Sequence, residues 1–130
     1  NIPFVFLVKN RVDLLRTSME SLLQSDFPYT HVPLVFSIDG HIAEMLSYVL
    51  TLKPQFPRME VMVHPHSCHD HGDVFPGNDP ALNKNYTGDV NGHLRNAALT
   101  CTKHHFTWLM GQIWKLDHFV VNSKQVRVDA

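Results

Sequence analysis

Three short runs of apolar residues, spaced by two stretches of helical periodicity, constrain this chain more than any other feature. Ile2 to Val8 (IPFVFLV), Val32 to Ile38 (VPLVFSI) and Met59 to Val63 (MEVMV) are strand-length. The first two lack the polar alternation of a sheet with one wet face, so they read as strands buried on both sides. Between them, Val12, Leu15, Met19, Leu22 and Leu23 fall on one helical face, as do Ile42, Met45, Leu46 and Val49 in the stretch from His41 to Leu52. Asn10 and Asp13 are candidate caps for the first helix. The motif Asp26-Phe27-Pro28-Tyr29 stops that helix, and Pro54 and Pro57 stop the second. Strand, helix, strand, helix, strand with long connections predicts a parallel α/β sheet with flanking helices.

The pattern then breaks. Residues 64–91 are rich in Gly, Pro, Asp and Asn and read as a long irregular loop, the kind usually reserved for function. Helical spacing returns from His93 to His118, with Leu94, Ala97, Ala98, Cys101, His105, Trp108, Leu109 and Trp114. Gly111 marks a possible bend.

Composition narrows the function. In 130 residues, 44% hydrophobic and 18% charged, there is enough apolar mass for one real core. Eleven lysines and arginines nearly cancel twelve acids, which argues against broad electrostatic binding to nucleic acid. No apolar run approaches the ~20 residues of a membrane span. The abrupt apolar start reads as a fragment. Two cysteines, Cys68 and Cys101, are too few for a disulfide scaffold, though one pair can bridge if geometry allows. Asn85-Tyr86-Thr87 is an N-glycosylation sequon, a weak sign of the secretory route.

Ligands of open parallel sheets bind beyond the carboxyl ends of the strands. Lys9, Asn10 and Arg11 follow the first strand and Asp39 follows the second. Cations at one strand end suit phosphate, and a carboxylate at the next accepts from a base or ribose donor. On the residues alone the plainer reading also stands: Asn10 a cap, Arg11 solvated, Asp39 shaping a turn with Ser37 and Gly40. Glycine-rich dinucleotide and P-loop signatures are missing, which disfavours those enzymes. In Lys103-His104-His105 the adjacent histidines point about 100° apart on a helix, so they cannot form an i, i+4 metal pair. One can face the core and one a cleft beside a phosphate-directed Lys103; the plainer reading is one packed histidine with two solvated residues. His64, His66, Cys68, His69, Asp70 and His71 are dense in metal donors, but the spacing matches no standard zinc module. The expectation is an exposed, metal-free histidine cluster, with Phe75 to Pro80 the ordered part of the loop and Asn85 open to glycosylation.

Several ordered motifs together resemble the N-acetylglucosaminyltransferase II family. They are Phe75-Pro76-Gly77-Asn78-Asp79-Pro80, Gly92-His93-Leu94-Arg95-Asn96-Ala97-Ala98, and Thr102-Lys103-His104-His105 with Trp108 and Trp114. Val8-Lys9-Asn10-Arg11 and Leu34-Val35-Phe36-Ser37 with Asp39 extend the likeness over roughly residues 3 to 114. The resemblance implies a GT-A-type, Rossmann-like domain, of which residues 1–130 are the nucleotide-binding half. It implies inverting β-1,2 transfer of GlcNAc from UDP-GlcNAc to the α-1,6-arm mannose of N-glycans on glycoproteins, with Mn²⁺ at the leaving diphosphate. It also implies a Golgi-lumenal enzyme anchored, as a type II membrane protein, through a segment outside this chain. Substrate-binding positions carried over are Leu7, Val8, Lys9, Asn10, Arg11, Asp39, Cys101, Thr102, Lys103, His104 and His105. Asp39 reads uracil or ribose.

This chain departs from the family pattern in places. The family has Gln and His where Leu7 and Lys9 stand, Gln where Cys101 stands, and a tryptophan run at Phe106-Thr107-Trp108. The cysteine pair flanking the Phe-Pro-Gly-x-Asp-Pro loop is absent. The acidic metal-binding motif and the catalytic base belong after the long helix, so neither metal ligands nor catalytic residues are assigned, and the 130 residues alone are expected not to catalyse transfer. A non-catalytic sugar-nucleotide or protein-binding module derived from the family is the alternative.

Overall fold

A computed structural model describes residues 2–28, 30–72 and 84–115. Its elements are β1 (Phe4–Val8), α1 (Val12–Gln24), β2 (Leu34–Ile38), α2 (Ala43–Thr51), β3 (Met59–Val63) and α3 (Ala97–Trp114). The three strands form one parallel sheet in the order β1-β2-β3. Phe6 lies beside Phe36, which lies beside Val61, and Val8 beside Ile38, which lies beside Val63.

Strand alternation sorts the side chains between two faces. Leu34, Phe36 and Ile38 of β2 and Met59, Val61 and Val63 of β3 form the main core. Val12, Leu15 and Met19 of α1 and Met45 and Val49 of α2 close over them. Each fully buried side chain of this size contributes about 1.5–3 kcal/mol. On the other face, Val35 and Met62 meet Leu109 of α3. On α3, Cys101, His105 and Leu109 recur every fourth residue and are its buried stripe. Its opposite side leaves Leu99, Phe106, Met110 and Trp114 exposed.

The structure bears out the parallel α/β expectation and amends its details. β2 and β3 are buried at all five positions, but β1 is not, with Phe4 and Leu7 47% and 42% exposed. Among the described residues β1 pairs on one side only, so burial on both faces fails there. Asn10 and Asp13 do not cap α1: Arg11 is the N-cap residue, with no side-chain cap bond, and its Nε lies 3.6 Å from an Asp13 carboxylate oxygen. α3 begins four residues later than periodicity suggests, because Asn96 caps it by accepting from the Leu99 N–H at 2.9 Å. Gly111 lies within that helix. The expected helical residues 116–118 and the Phe75 to Pro80 turn lie outside the described residues. Among the described residues no helix is long and apolar enough to cross a membrane.

Gly40 requires its glycine. Its φ of +119° suits few side chains, and a Cβ there would come within 2.6 Å of Ser67 Oγ. The turn after β2 is thereby pressed onto residues 67–70. His41 donates from its backbone N–H to Asp70 Oδ2 at 3.0 Å, and its Nδ1 lies 2.8 Å from the same oxygen. Ser67 Oγ donates to that oxygen at 3.1 Å. Burial pushes the Asp70 carboxyl up, but the bonds from His41 and Ser67 outweigh it and hold the group below the usual carboxylate range.

Candidate functional site

The carboxyl ends of β1 and β2 open onto α3, and a cleft of about 170 Å³ lies between them. Leu7, Val8, Lys9, Asp39, Thr102 and His105 line it. All six are residues singled out in the sequence. The topology brings them together because parallel strands end on the same side. The His105 side of α3 then packs down on the ends.

The remaining candidates separate. Arg11 lines a neighbouring cleft of about 300 Å³ between β1 and α1, with Phe6, Leu14, Leu15, Ser18 and Met45. Leu7, Val8 and Lys9 border both clefts and form the ridge between them. Asn10 is exposed and lines neither. Lys103 lies toward the start of α3, in a smaller hollow with Tyr86, Asp89 and Arg95. Cys101 is buried in a disulfide with Cys68, their Cα atoms 5.8 Å apart. This pins the segment after β3 to α3. Lys9 Nζ reaches within 3.9 Å of the Cys68 sulfur.

Beneath the cleft lies a buried polar network. His105, only 4% exposed, places Nε2 2.7 Å from the hydroxyl of fully buried Ser37. Asp39 is 6% exposed, and its Oδ1 accepts from His64 Nδ1 at 2.9 Å. The same oxygen is 3.9 Å from His105 Nδ1, close enough for charge interaction but not a hydrogen bond. His64 Nε2 meets His104 Nδ1 at 3.2 Å. The His64 ring stacks on His105 with centroids 5.2 Å apart and packs against Trp108 at 5.0 Å.

Burial depresses the basicity of both helix histidines. For His104 the neighbouring His64 and His66 add to this against an opposing pull from Asp39. For His105 the Asp39 carboxylate opposes burial, and His64 reinforces it. Both rings are therefore held toward the neutral form. Of the two adjacent histidines, the buried His105 is also the one that lines the cleft, while His104 is half-buried and lines none of the three hollows described.

His64 corrects an expectation. It is not part of an exposed cluster but fully buried. β3 and β2 run in register at Val63 and Ile38, and the ladder continues with the His64 N–H bonding to Ile38 O at 2.8 Å. His64 therefore follows Glu60 and Met62 on the α3 face, as Asp39 follows Val35 and Ser37. Extending the strand alternation by one residue would have found it. His66 and His69 are exposed, with His66 stacked on His71. Among the described residues no group of three or more His, Cys, Asp or Glu side chains could hold a metal ion. The carboxamide-bearing residue of the sequon, Asn85, is exposed.

The family model for N-acetylglucosaminyltransferase II (MGAT2) matches residues 1–126. The alpha-1,6-mannosyl-glycoprotein 2-beta-N-acetylglucosaminyltransferase of Arabidopsis thaliana is 28% identical over 123 residues, covering 87% of this chain. The proteins of the same name from Rattus norvegicus and Mus musculus are 30% and 31% identical over 129 residues, covering 88% of this chain. In each case the chain spans 28% of the relative's length. No solved structure matches it. A match across nearly the whole chain leaves one conclusion: the chain belongs to the N-acetylglucosaminyltransferase II family.

Proposed function

We propose that this chain forms the donor-nucleotide side of a GT-A N-acetylglucosaminyltransferase and binds UDP-GlcNAc across the ends of β1 and β2. The observation that carries the reading is the single cleft gathering Leu7, Val8, Lys9, Asp39, Thr102 and His105 at the carboxyl edge of a parallel sheet. Lys9 supplies a cation for the diphosphate, and Arg11 a second from the adjoining cleft. Asp39 offers a carboxylate whose Oδ1 is already held, leaving Oδ2 to accept from a uracil N–H or a ribose hydroxyl. Leu7 and Val8 give the apolar wall on which a flat base or ribose can rest.

The parent reaction is then inverting β-1,2 transfer of GlcNAc to the α-1,6-arm mannose of an N-glycan, in the Golgi lumen, from a type II membrane protein. The curated relatives' name supports the acceptor and the sugar. The described residues do not fit a manganese ion, since no three donors converge. The parent enzyme's Mn²⁺ ligands and catalytic base then lie beyond the described residues. The described residues bind and orient the donor; transfer by these 130 residues alone is not expected.

Calorimetry of the chain with UDP, ADP and GDP tests the reading. UDP should bind in preference, and Asp39→Ala should weaken it about 10- to 100-fold, the worth of a hydrogen bond to a charged group. Equal affinity for all three nucleotides would sink the assignment.

A further inference from the structure

We infer that His64 is a positioning residue for nucleotide recognition: by donating from Nδ1 to Asp39 Oδ1 it fixes the carboxylate so that its other oxygen faces the donor cleft. This rests on the donor-site reading above and deepens it.

The geometry leaves Asp39 few alternatives. It is 6% exposed, yet among the described residues its carboxylate makes one hydrogen bond, the 2.9 Å contact with His64. A short side chain with a single bonded oxygen is fixed about its last torsion by that bond. Asp39 also lines the cleft, so fixing Oδ1 decides where Oδ2 points. Loss of the bond leaves the carboxylate buried without a donor, free to rotate toward the His105 ring 3.9 Å away.

His64 is itself fixed from every side. It has no exposed surface, and its ring is packed by His104, His105 and Trp108. An ionised carboxylate only accepts, so Nδ1 carries the proton and Nε2 is left to accept from His104 Nδ1–H at 3.2 Å. One tautomer thus satisfies both contacts. The arrangement has the form of the carboxylate–imidazole pair by which proteins orient active groups from behind. Its order is reversed here, the imidazole holding the carboxylate.

Two variants separate positioning from packing. His64→Phe keeps a ring of similar shape in the aromatic pocket but removes the donor. His64→Asn shrinks the side chain but keeps an N–H near the place of Nδ1. Positioning requires UDP affinity to fall roughly tenfold in His64→Phe and to stay within about threefold of the parent in His64→Asn. A packing role demands the opposite order. UDP affinity and histidine ¹⁵N spectra are measured on the whole chain, with circular dichroism confirming that each variant folds.

A slowly exchanging Nδ1–H on His64 that is lost in His64→Phe, together with the predicted order of affinities, supports the inference. If UDP binds and His64→Phe matches the parent, or His64→Asn is the weaker of the two, the positioning role is overturned while the donor site stands. If the Nδ1–H signal is present but the parent shows no preference for UDP, the donor-site reading falls and takes this role with it.

Discussion

Removing the disulfide between Cys68 and Cys101 tests how this small sheet is held together. The bond closes a loop with a sequence separation of 33 residues. A cross-link of that span removes chain entropy from the unfolded ensemble worth about 3.7 kcal/mol at 25 °C. With an unfolding entropy of roughly 2.1 cal/mol/K per residue, a chain of this length should melt on the order of 10–15 °C lower in the Cys68→Ser/Cys101→Ser variant. The native side adds to the effect. The bond ties the segment after β3 to the buried stripe of α3, whose packed nonpolar contacts with the sheet are the small cluster of Val35, Met62 and Leu109 with Val5, Trp108 and Ile113 at its edge. Thermal melts by circular dichroism, with the parent measured both oxidised and reduced, give the comparison. Non-reducing mass spectrometry confirms the bond in the oxidised sample. If the bond is present and the variant melts within about 3 °C of the parent, the entropic reasoning is refuted.

Three other perturbations follow from the same contacts. Ser37→Ala leaves His105 Nε2 without its 2.7 Å partner inside the core, and should lower the urea unfolding free energy by about 1–3 kcal/mol; an unchanged midpoint would contradict the hydrogen bond. His104 and His105 are both held below their ordinary value of 6.5, so the unfolded chain takes up their protons first. Their contribution to stability is complete above pH 6.5 and is lost as pH falls below it toward the folded values; a urea midpoint that does not drop between pH 7.5 and pH 5.5 would oppose this. Gly40→Ala must adopt a φ of +119° with its Cβ 2.6 Å from Ser67 Oγ, which should cost roughly 1–3 kcal/mol in the same assay; a neutral substitution would show that the turn after β2 is not pressed onto the following loop.

Much of this protein was legible along the chain because periodicity belongs to neighbours in sequence. The runs ending at Val8, Ile38 and Val63 and the apolar faces of α1 and α2 needed no tertiary knowledge. The chemistry expected at strand ends needed only the rule that parallel strands finish on one side. That rule marked Lys9 and Asp39, and the motif at Thr102 to His105 marked the helix that faces them. What remained depended on packing between distant residues. Ser37 meets His105 across 68 positions, Asp39 meets His64 across 25, and His64 meets His104 across 40. A histidine in a polar, proline-containing stretch reads as solvated until the ladder from Ile38 carries it under α3. The same packing decided that Cys68 and Cys101 bond, that Arg11 lines the cleft beside the one Asp39 lines, and that β1 is only partly covered, with Phe4 and Leu7 exposed on its two opposite faces. Local pattern sets where a side chain starts; which partner removes it from water is set by the register of the strands and the helix laid across them.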